Sequence, residues 1–108
     1  MVNFENFDEV VLEKVRDVSQ PLLDKYSRKF ADDNIQEFKL VVDTIRQKQQ
    51  KHLYEVIGTL KTSKHVFRTD ETGWEILDVV EKVVAELRRM IREKKDRTKS
   101  KRHGPANA

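Results

Sequence analysis

The repeat length of the apolar residues changes twice along this chain, and no other sequence feature constrains the fold as strongly. In residues 7–30 the apolar residues recur every three or four positions, which is the spacing of one face of a helix. In residues 38–67 they alternate with polar residues, as half-buried strands do. In residues 74–91 the helical spacing returns. The pattern predicts two long amphipathic helices separated by a set of strands.

The strand-like part divides into short segments that turn signals separate. Three strands are predicted, at 37–45, 54–61 and 65–68. The polar run 46–51 fits a hairpin loop, and 62–64 fits a short turn. Residues 1–7 also alternate and could form an edge strand or a frayed start. We therefore predict an α+β fold, a two-layer sandwich in which two long helices cover one face of a three- to four-stranded antiparallel sheet, in the order (β)-α-β-β-β-α.

Pro21 complicates the first helix, because proline inside a helix removes one hydrogen bond and clashes with the preceding turn. Either the helix is kinked there, or Ser19 caps a fresh helix with Pro21 in its first turn. A third interpretation makes residues 9–17 a strand, although their alternation is poor. The favoured interpretation is a kinked helix whose start is capped by Asn6 or Asp8.

The second helix has a recognisable start and a wide apolar stripe. Thr72 and Glu75 have the spacing of a capping box, in which each side chain bonds the backbone N–H of the other residue. Tyr54 and Trp74 fall on predicted inner faces, so we expect both in the core. Gly58 lies on the same inner face and is expected to leave room for a bulky side chain such as that of Trp74. The stripe comprises Trp74, Leu77, Val80, Val84, Leu87 and Ile91, widened by Val79, Val83 and Met90.

Positive charge is concentrated at the end of the second helix. Residues 88–103 hold nine Lys/Arg and two acids, so this segment carries +7 while the whole chain carries +3. A local basic segment attracts polyanions such as RNA, DNA or an acidic membrane surface. The alternative is a solvated helix end with a tail that aids solubility. Lys and Arg residues between 46 and 68 and along the first helix either extend a basic surface or are ordinary solvated charge.

Composition excludes several classes of site. The chain has 108 residues and fits one domain, predicted at 1–97, followed by a basic and disordered tail at 98–108. It has no cysteine, so disulfides, thiolate zinc sites and cysteine nucleophiles are excluded. His52, His65 and His103 lie in different predicted elements, and Asp32 with Asp33 falls in a turn, where aspartate is favoured for backbone reasons. We expect no catalytic site, no metal, no cofactor, no small-molecule substrate and no membrane partner. With no signal-peptide pattern, the cytoplasm is the expected location.

Residues 64–95 resemble a known family. The run KHVFRTDETGWEILD at 64–78, followed by VVEKVVAELRRMIREKK at 79–95, is similar to the last strand and last helix of the ribosome hibernation-promoting factor / ribosome-associated inhibitor A family. Trp74 falls where that family has its aromatic residue, Leu77 and Asp78 where it has an Ile-Asp pair, and 88–95 where it has basic turns. The similarity extends less specifically over about 22–97.

The resemblance implies a fold like that of double-stranded-RNA-binding domains. It also implies binding to the rRNA of the small ribosomal subunit, in the channel used by mRNA and tRNA, with inhibition of translation in idle ribosomes. The sequence departs from the family in its short or missing first strand and in Pro21. It also lacks the C-terminal dimerising domain of long-form members, so the resemblance is to a diverged short form.

The candidate RNA-binding residues follow from the charge run and from the resemblance together. Lys/Arg on a helix face gain affinity for phosphates by releasing counterions. The alternative function is a small protein–protein interaction or adaptor module, possibly a helical bundle, in which the basic tail is incidental. The candidate residues are Arg88, Arg89, Arg92, Lys94 and Lys95 on the helix, with Arg97, Lys99, Lys101 and Arg102 as an extension.

Overall fold

The computed structural model describes residues 2–49 and 51–107, with side chains described for 2–49 and 51–93. The predicted order of elements is confirmed, and the optional first strand is present. The proposed boundary at residue 97 and the disordered tail at 98–108 lie outside the described side chains and stay predictions. The elements are β1 (Val2–Glu5), α1 (Glu9–Lys29), β2 (Ile35–Lys48), β3 (Lys51–Thr62), β4 (Val66–Gly73) and α2 (Ile76–Asn107).

The four strands form one sheet in the order β1-β2-β3-β4. β2 pairs with β3 and β3 with β4 in antiparallel hairpins, as expected. β1 pairs with β2 in the parallel direction, so the sheet is mixed rather than wholly antiparallel. The connection explains the difference, because α1 carries the chain back along the sheet before β2 begins, and a crossover of this kind joins parallel strands.

One face of the sheet and the inner sides of both helices form the core, which confirms the two-layer α+β sandwich. In β2 and β3 every second residue is buried over the central part of the strands, as the alternation predicted. α2 approaches the sheet closely at Gly58. The core residues on the sheet are Phe38, Leu40, Val42, Val56, Leu60 and Phe67, and those on the helices are Val15, Leu22, Leu23, Tyr26, Val79, Val80, Val83, Val84, Leu87 and Ile91.

The first helix continues through Pro21, from Glu9 to Lys29. A separate helix beginning at Ser19 is therefore wrong, as is a strand at 9–17. Pro21 is exposed, so water can satisfy the carbonyl that has lost its helical partner. Asp8 occupies the N-cap, but its side chain makes no capping hydrogen bond. Its carbonyl oxygen accepts the first helical bonds instead, from the N–H groups of Val11 and Leu12 at 3.0 Å.

The predicted capping box at the start of α2 is wrong. Thr72 and Gly73 continue β4, where they pair with Glu55 and Tyr54 of β3. The helix starts later, at Ile76, and its first carbonyl bond runs from the Val79 N–H to the oxygen of Glu75 at 3.0 Å. Pairing with β3 uses the backbone groups of Thr72 and Gly73, so these two residues do not begin the helix.

The strands are longer than predicted at one end of the sheet. Residues 46–48, expected in a loop, extend β2, and Lys48 pairs with Lys51. Gln49, in the turn that follows β2, has a φ of 56°, the left-handed region. This part of the hairpin has no apolar alternation, because neither of its faces is buried against a helix. Its strand character was therefore invisible in the sequence.

A buried carboxylate joins the turns at the other end of the sheet. Asp33 accepts hydrogen bonds from the hydroxyls of Tyr26 at 2.6 Å, Thr62 at 2.8 Å and Ser63 at 2.8 Å, and from the backbone N–H of Lys64 at 3.2 Å. Burial alone would raise the pKa of Asp33, but these bonds outweigh it and lower the pKa to about 2. Burial, and then the bond to Asp33, raise the pKa of Tyr26 to about 12. Asp33 thus has the structural role in its turn that the sequence favoured.

Candidate nucleic-acid interface

The candidate arginines stand on a helix that the core holds in place. α2 buries one stripe from Val79 to Ile91 against the sheet and α1, and its exposed side carries the charges. A side chain on such a helix keeps its direction relative to the sheet, because the buried stripe cannot rotate without exposing apolar surface. The helix therefore presents its arginines as a fixed array rather than on a loop.

Arg88 and Arg92 are both exposed and lie one helical turn apart. Neither makes an ion pair with another side chain in the described ranges. Arg88 borders a cleft of about 230 Å³ between the two helices, together with Val18 of α1 and with Glu81 and Ala85 of α2; Glu81 lies two helical turns before Arg88 and forms no ion pair with it. These two arginines therefore offer adjacent cations on the side of α2 that faces toward α1.

Arg89 has a different environment. Its guanidinium is ion-paired with both Glu86 and Glu93, and its Nε donates to Glu86 Oε1 at 3.1 Å. The hydrogen bond to Glu86, with the charges of both carboxylates, raises the pKa of Arg89, and the same bond lowers the pKa of Glu86. Arg89 lines a cleft with Phe67 and Arg68 at the β4 edge, across α2 from Arg88. The described candidates are thus divided between two sides of one helix.

The remaining candidate residues lie outside the described side chains. They are Lys94, Lys95, Arg97, Lys99, Lys101 and Arg102, and their phosphate contacts stay a prediction.

The outer face of the sheet, which no helix covers, carries mixed charge. Lys39, Lys61 and Arg68 point to this face by strand register, beside the acids Glu5, Glu37 and Asp70 on neighbouring positions. Lys39 is ion-paired with Glu5 at 3.4 Å. Interleaved charge of both signs makes a weak anion site, because each carboxylate repels a phosphate while its neighbour attracts it.

The end of the β2–β3 hairpin carries three of the cations that the sequence left open as either an extension of the basic surface or ordinary solvated charge. We call residues 44–54 the β2–β3 arm. It contains Arg46, Lys48 and Lys51 and no acidic residue, and the three cations are exposed. The absence of acids over eleven consecutive positions is a sequence signal that could have identified this surface.

Trp74 lies beside the β2–β3 arm and not in the core. Its side chain is 47% exposed, so the prediction of a core role is wrong for this residue. Tyr54 is partly buried and packs against the core, as predicted. Gly58 makes room for α2 rather than for Trp74, since a Cβ at that position would meet Val83 and Leu87. Trp74 leaves the apolar stripe because α2 begins only at Ile76.

Two further properties of the described part of the chain bear on function. Among its described residues, no three His, Asp or Glu side chains come together as a metal ion would require. No helix in the same part of the chain is long and apolar enough to span a membrane.

Comparison with known proteins gives a likeness of fold. No family model matches the sequence, and no curated protein matches it. Among solved structures, the crystal structure of the N-terminal domain of Thermus thermophilus Protein Y superposes with a TM-score of 0.60 at 13% sequence identity. The match covers 85% of this chain and 93% of that domain. The two chains therefore share an architecture over most of their lengths.

Proposed function

We propose that this protein binds the small ribosomal subunit through the phosphates of its rRNA and inhibits translation in idle ribosomes. Such a protein acts by occupancy, so it needs a rigid cationic surface and no catalytic group. It would work in the cytoplasm, where ribosomes are.

The observation that carries the proposal is the pair Arg88 and Arg92 on α2, a helix that the core holds in place. Both residues are exposed, and neither forms an ion pair with a described carboxylate. Guanidinium forks match phosphate oxygens geometrically. Structured RNA is read mostly by shape and backbone, so a fixed pair of arginines suits it better than a loop would. Lys94 and Lys95 would extend this surface along the same helix.

The sequence resemblance and the fold support the same function. Residues 64–95 resemble the last strand and helix of the hibernation-promoting factor family, and that resemblance implies the element order β-α-β-β-β-α. The structure has this order, and it shares its architecture with the N-terminal domain of Protein Y. At 13% identity the two chains share little sequence, so the fold likeness supports the proposal separately from the motif. Together they favour the ribosome over other polyanions.

The test replaces Arg88 and Arg92 together by glutamine and measures co-sedimentation with small ribosomal subunits over a range of salt concentrations. Wild-type association should weaken steeply as salt rises, because each phosphate contact releases counterions. Loss of two contacts should weaken binding and lower the slope of log K against log salt by about 2.

A matched control removes the same charge elsewhere. Lys14 and Lys29 are exposed residues of α1, where cations alternate with acids, and their replacement by glutamine should leave the slope nearly unchanged. The proposal is wrong if wild-type protein does not sediment with small subunits at low salt. The assignment to α2 is wrong if the Arg88/Arg92 variant and the Lys14/Lys29 variant lose affinity equally.

The alternative function, a protein–protein adaptor, could belong to a helical bundle or to a sandwich. A helical bundle is excluded by the four-stranded sheet. A sandwich that binds a protein partner would instead show binding that salt hardly affects, and the same sedimentation series distinguishes the two.

A further inference from the structure

The tip of the β2–β3 arm extends past the core, while Tyr54 at its base packs against the core. Residues 43–49 of the chain are all exposed, whereas the preceding part of β2 alternates with buried positions. The pairs Gln47 with His52 and Lys48 with Lys51 keep the arm in a two-stranded ladder up to its turn. A ladder fixes the backbone, so the arm presents its side chains in a defined arrangement. The acid-free stretch is bounded by Asp43 and Glu55, which face each other across the ladder at the base of the arm.

Trp74 and two lysines of the arm border one cleft. The cleft has a volume of about 520 Å³ and is lined by Lys48, Gln49, Lys51 and Trp74. Pairing of Gly73 with Tyr54 brings the chain alongside the arm just before Trp74, which explains how residues far apart in sequence meet there. The arrangement combines a large aromatic ring with two ammonium groups.

The ring of Trp74 is available to a ligand. Nearly half of its side-chain surface is exposed, and it makes no ring contact with another aromatic residue in the described part of the chain. Lys48 and Lys51 make no ion pair with any described carboxylate. A nucleobase can stack on an indole, and ammonium groups beside it can bind the flanking phosphates. The unbalanced positive charge complements a nucleic acid strand and would repel a basic peptide.

The cleft is separate from the arginines of α2. Gly73 lies against Val79 near the start of α2, so Trp74 is close to that end of the helix. At 1.5 Å per residue, the helix from Ile76 to Arg92 spans roughly 24 Å. The screening length at physiological salt is about 8 Å, so the two cationic surfaces act on phosphates independently. The molecule therefore carries positive charge at both ends of its sheet.

We infer that Trp74, Lys48 and Lys51 form a stacking subsite for an unpaired base of single-stranded RNA. The inference rests on the proposed function for its choice of RNA as the ligand. The α2 arginines contact the backbone of folded rRNA, and the Trp74 cleft takes an extruded base some distance away. The phosphate contacts would position the protein on the subunit, and the stacked base would add a contact to a base, which phosphate contacts do not provide.

The experiment uses the fluorescence of Trp74, which is the single tryptophan of the chain. The probe is an oligouridine of about eight nucleotides, within the site size of small single-strand-binding domains, compared with a duplex RNA of equal length. Stacking should quench the Trp74 emission with the single strand and much less with the duplex. Replacement of Lys48 and Lys51 by glutamine should weaken the quenching, and replacement of Lys14 and Lys29 should not.

A second measurement uses a labelled oligouridine and Trp74 variants. Trp74→Ala should weaken binding roughly 5- to 150-fold, the range that corresponds to loss of one stacked base, and Trp74→Phe should recover part of it. Melting curves of both variants establish that they fold. Unchanged oligouridine binding by Trp74→Ala, or no quenching of the wild-type emission, overturns the subsite.

The subsite and the proposed function fail in different experiments. One outcome overturns the subsite alone. In it, wild-type protein and the Trp74→Ala variant bind small subunits equally well, and they also bind the oligouridine equally well. Wild-type protein whose emission is quenched by the oligouridine, but which ignores small subunits, overturns the ribosomal function and supports the subsite as a general single-strand site. If the Trp74 emission changes when a protein fraction is added but not when RNA is added, the subsite is wrong and the cleft binds a protein partner.

Discussion

Replacement of Gly58 by alanine should loosen the helix that carries the candidate arginines. A Cβ on Gly58 would lie 2.5 Å from Val83 Cγ1, 3.0 Å from Leu40 Cδ2 and 3.4 Å from Leu87 Cδ1. Ordinary carbon–carbon contacts are about 3.5–4.0 Å, so the overlap with Val83 is about 1 Å. Val83 has little χ1 freedom in a helix, and relief therefore requires α2 to move away from the sheet.

The expected loss of stability follows from two opposing terms. Overpacking of this kind costs about 1–3 kcal/mol. Alanine regains about 0.5–1 kcal/mol, because glycine loses more backbone freedom on folding. The net loss is about 0–2.5 kcal/mol, and its central value of about 1 kcal/mol lowers the melting temperature of a domain of this size by roughly 4–8 °C. Thermal and urea unfolding followed by circular dichroism measure it.

A double-mutant cycle that combines Gly58→Ala with Val83→Ala tests the cause. Val83→Ala alone opens a cavity, but the methyl group added at position 58 would partly fill it in the double variant. The loss in the double variant should be smaller than the summed losses by about 1 kcal/mol or more. Thr59→Ala, which changes the adjacent residue on the outer face, should add to Val83→Ala without coupling. An additive Gly58/Val83 cycle, or a Gly58→Ala variant more stable than wild type, would refute the close packing of α2 on Gly58.

Two further variants probe buried polar groups. Asp33→Asn should lower stability by about 2–3 kcal/mol through loss of charge-assisted hydrogen bonds, as denaturant unfolding will measure. Because the pKa of Asp33 is about 2 in the fold against an ordinary 3.8, its contribution should be full above pH 4 and disappear as the pH falls toward 2. A variant with the same acid dependence as wild type would contradict that role. Ser19→Ala should raise stability by about 1 kcal/mol, because the buried Ser19 hydroxyl has no hydrogen-bond partner among the described residues. Thermal unfolding measures the change. A loss of stability of similar size would show that the hydroxyl does have a hydrogen-bond partner.

The sequence alone predicted the parts of the fold in which one face is buried. The alternation of Phe38, Leu40 and Val42 identified the inner face of β2, and the stripe from Val79 to Ile91 identified the buried side of α2. Both are confirmed because the hydrophobic effect selects the face regardless of which partner covers it. The basic end of α2 was equally plain, since charge patterning is a property of the chain itself.

The start of α2 could not be read from local sequence. Thr72 and Glu75 have the spacing of a capping box, but residues 72–73 pair with β3 instead. Their partners in β3 lie far away in the sequence. Trp74 was thereby moved from the core to the surface beside the β2–β3 arm. Local propensity is a weak preference of tenths of a kcal/mol per residue, and tertiary hydrogen bonds outweigh it.

The sequence by itself determined the α+β class, the buried faces and the cationic end of α2. Burial and charge patterns depend on the order of residues within one segment, so they can be recognised without knowing the fold. The tertiary structure alone decided that Arg89 is held by Glu86 and Glu93 while Arg88 and Arg92 meet no described acid. It also decided that Trp74 borders one cleft with Lys48 and Lys51. Side chains that are neighbours only through helix rotation or strand register acquire their electrostatic partners when the chain folds, and function depends on those partners.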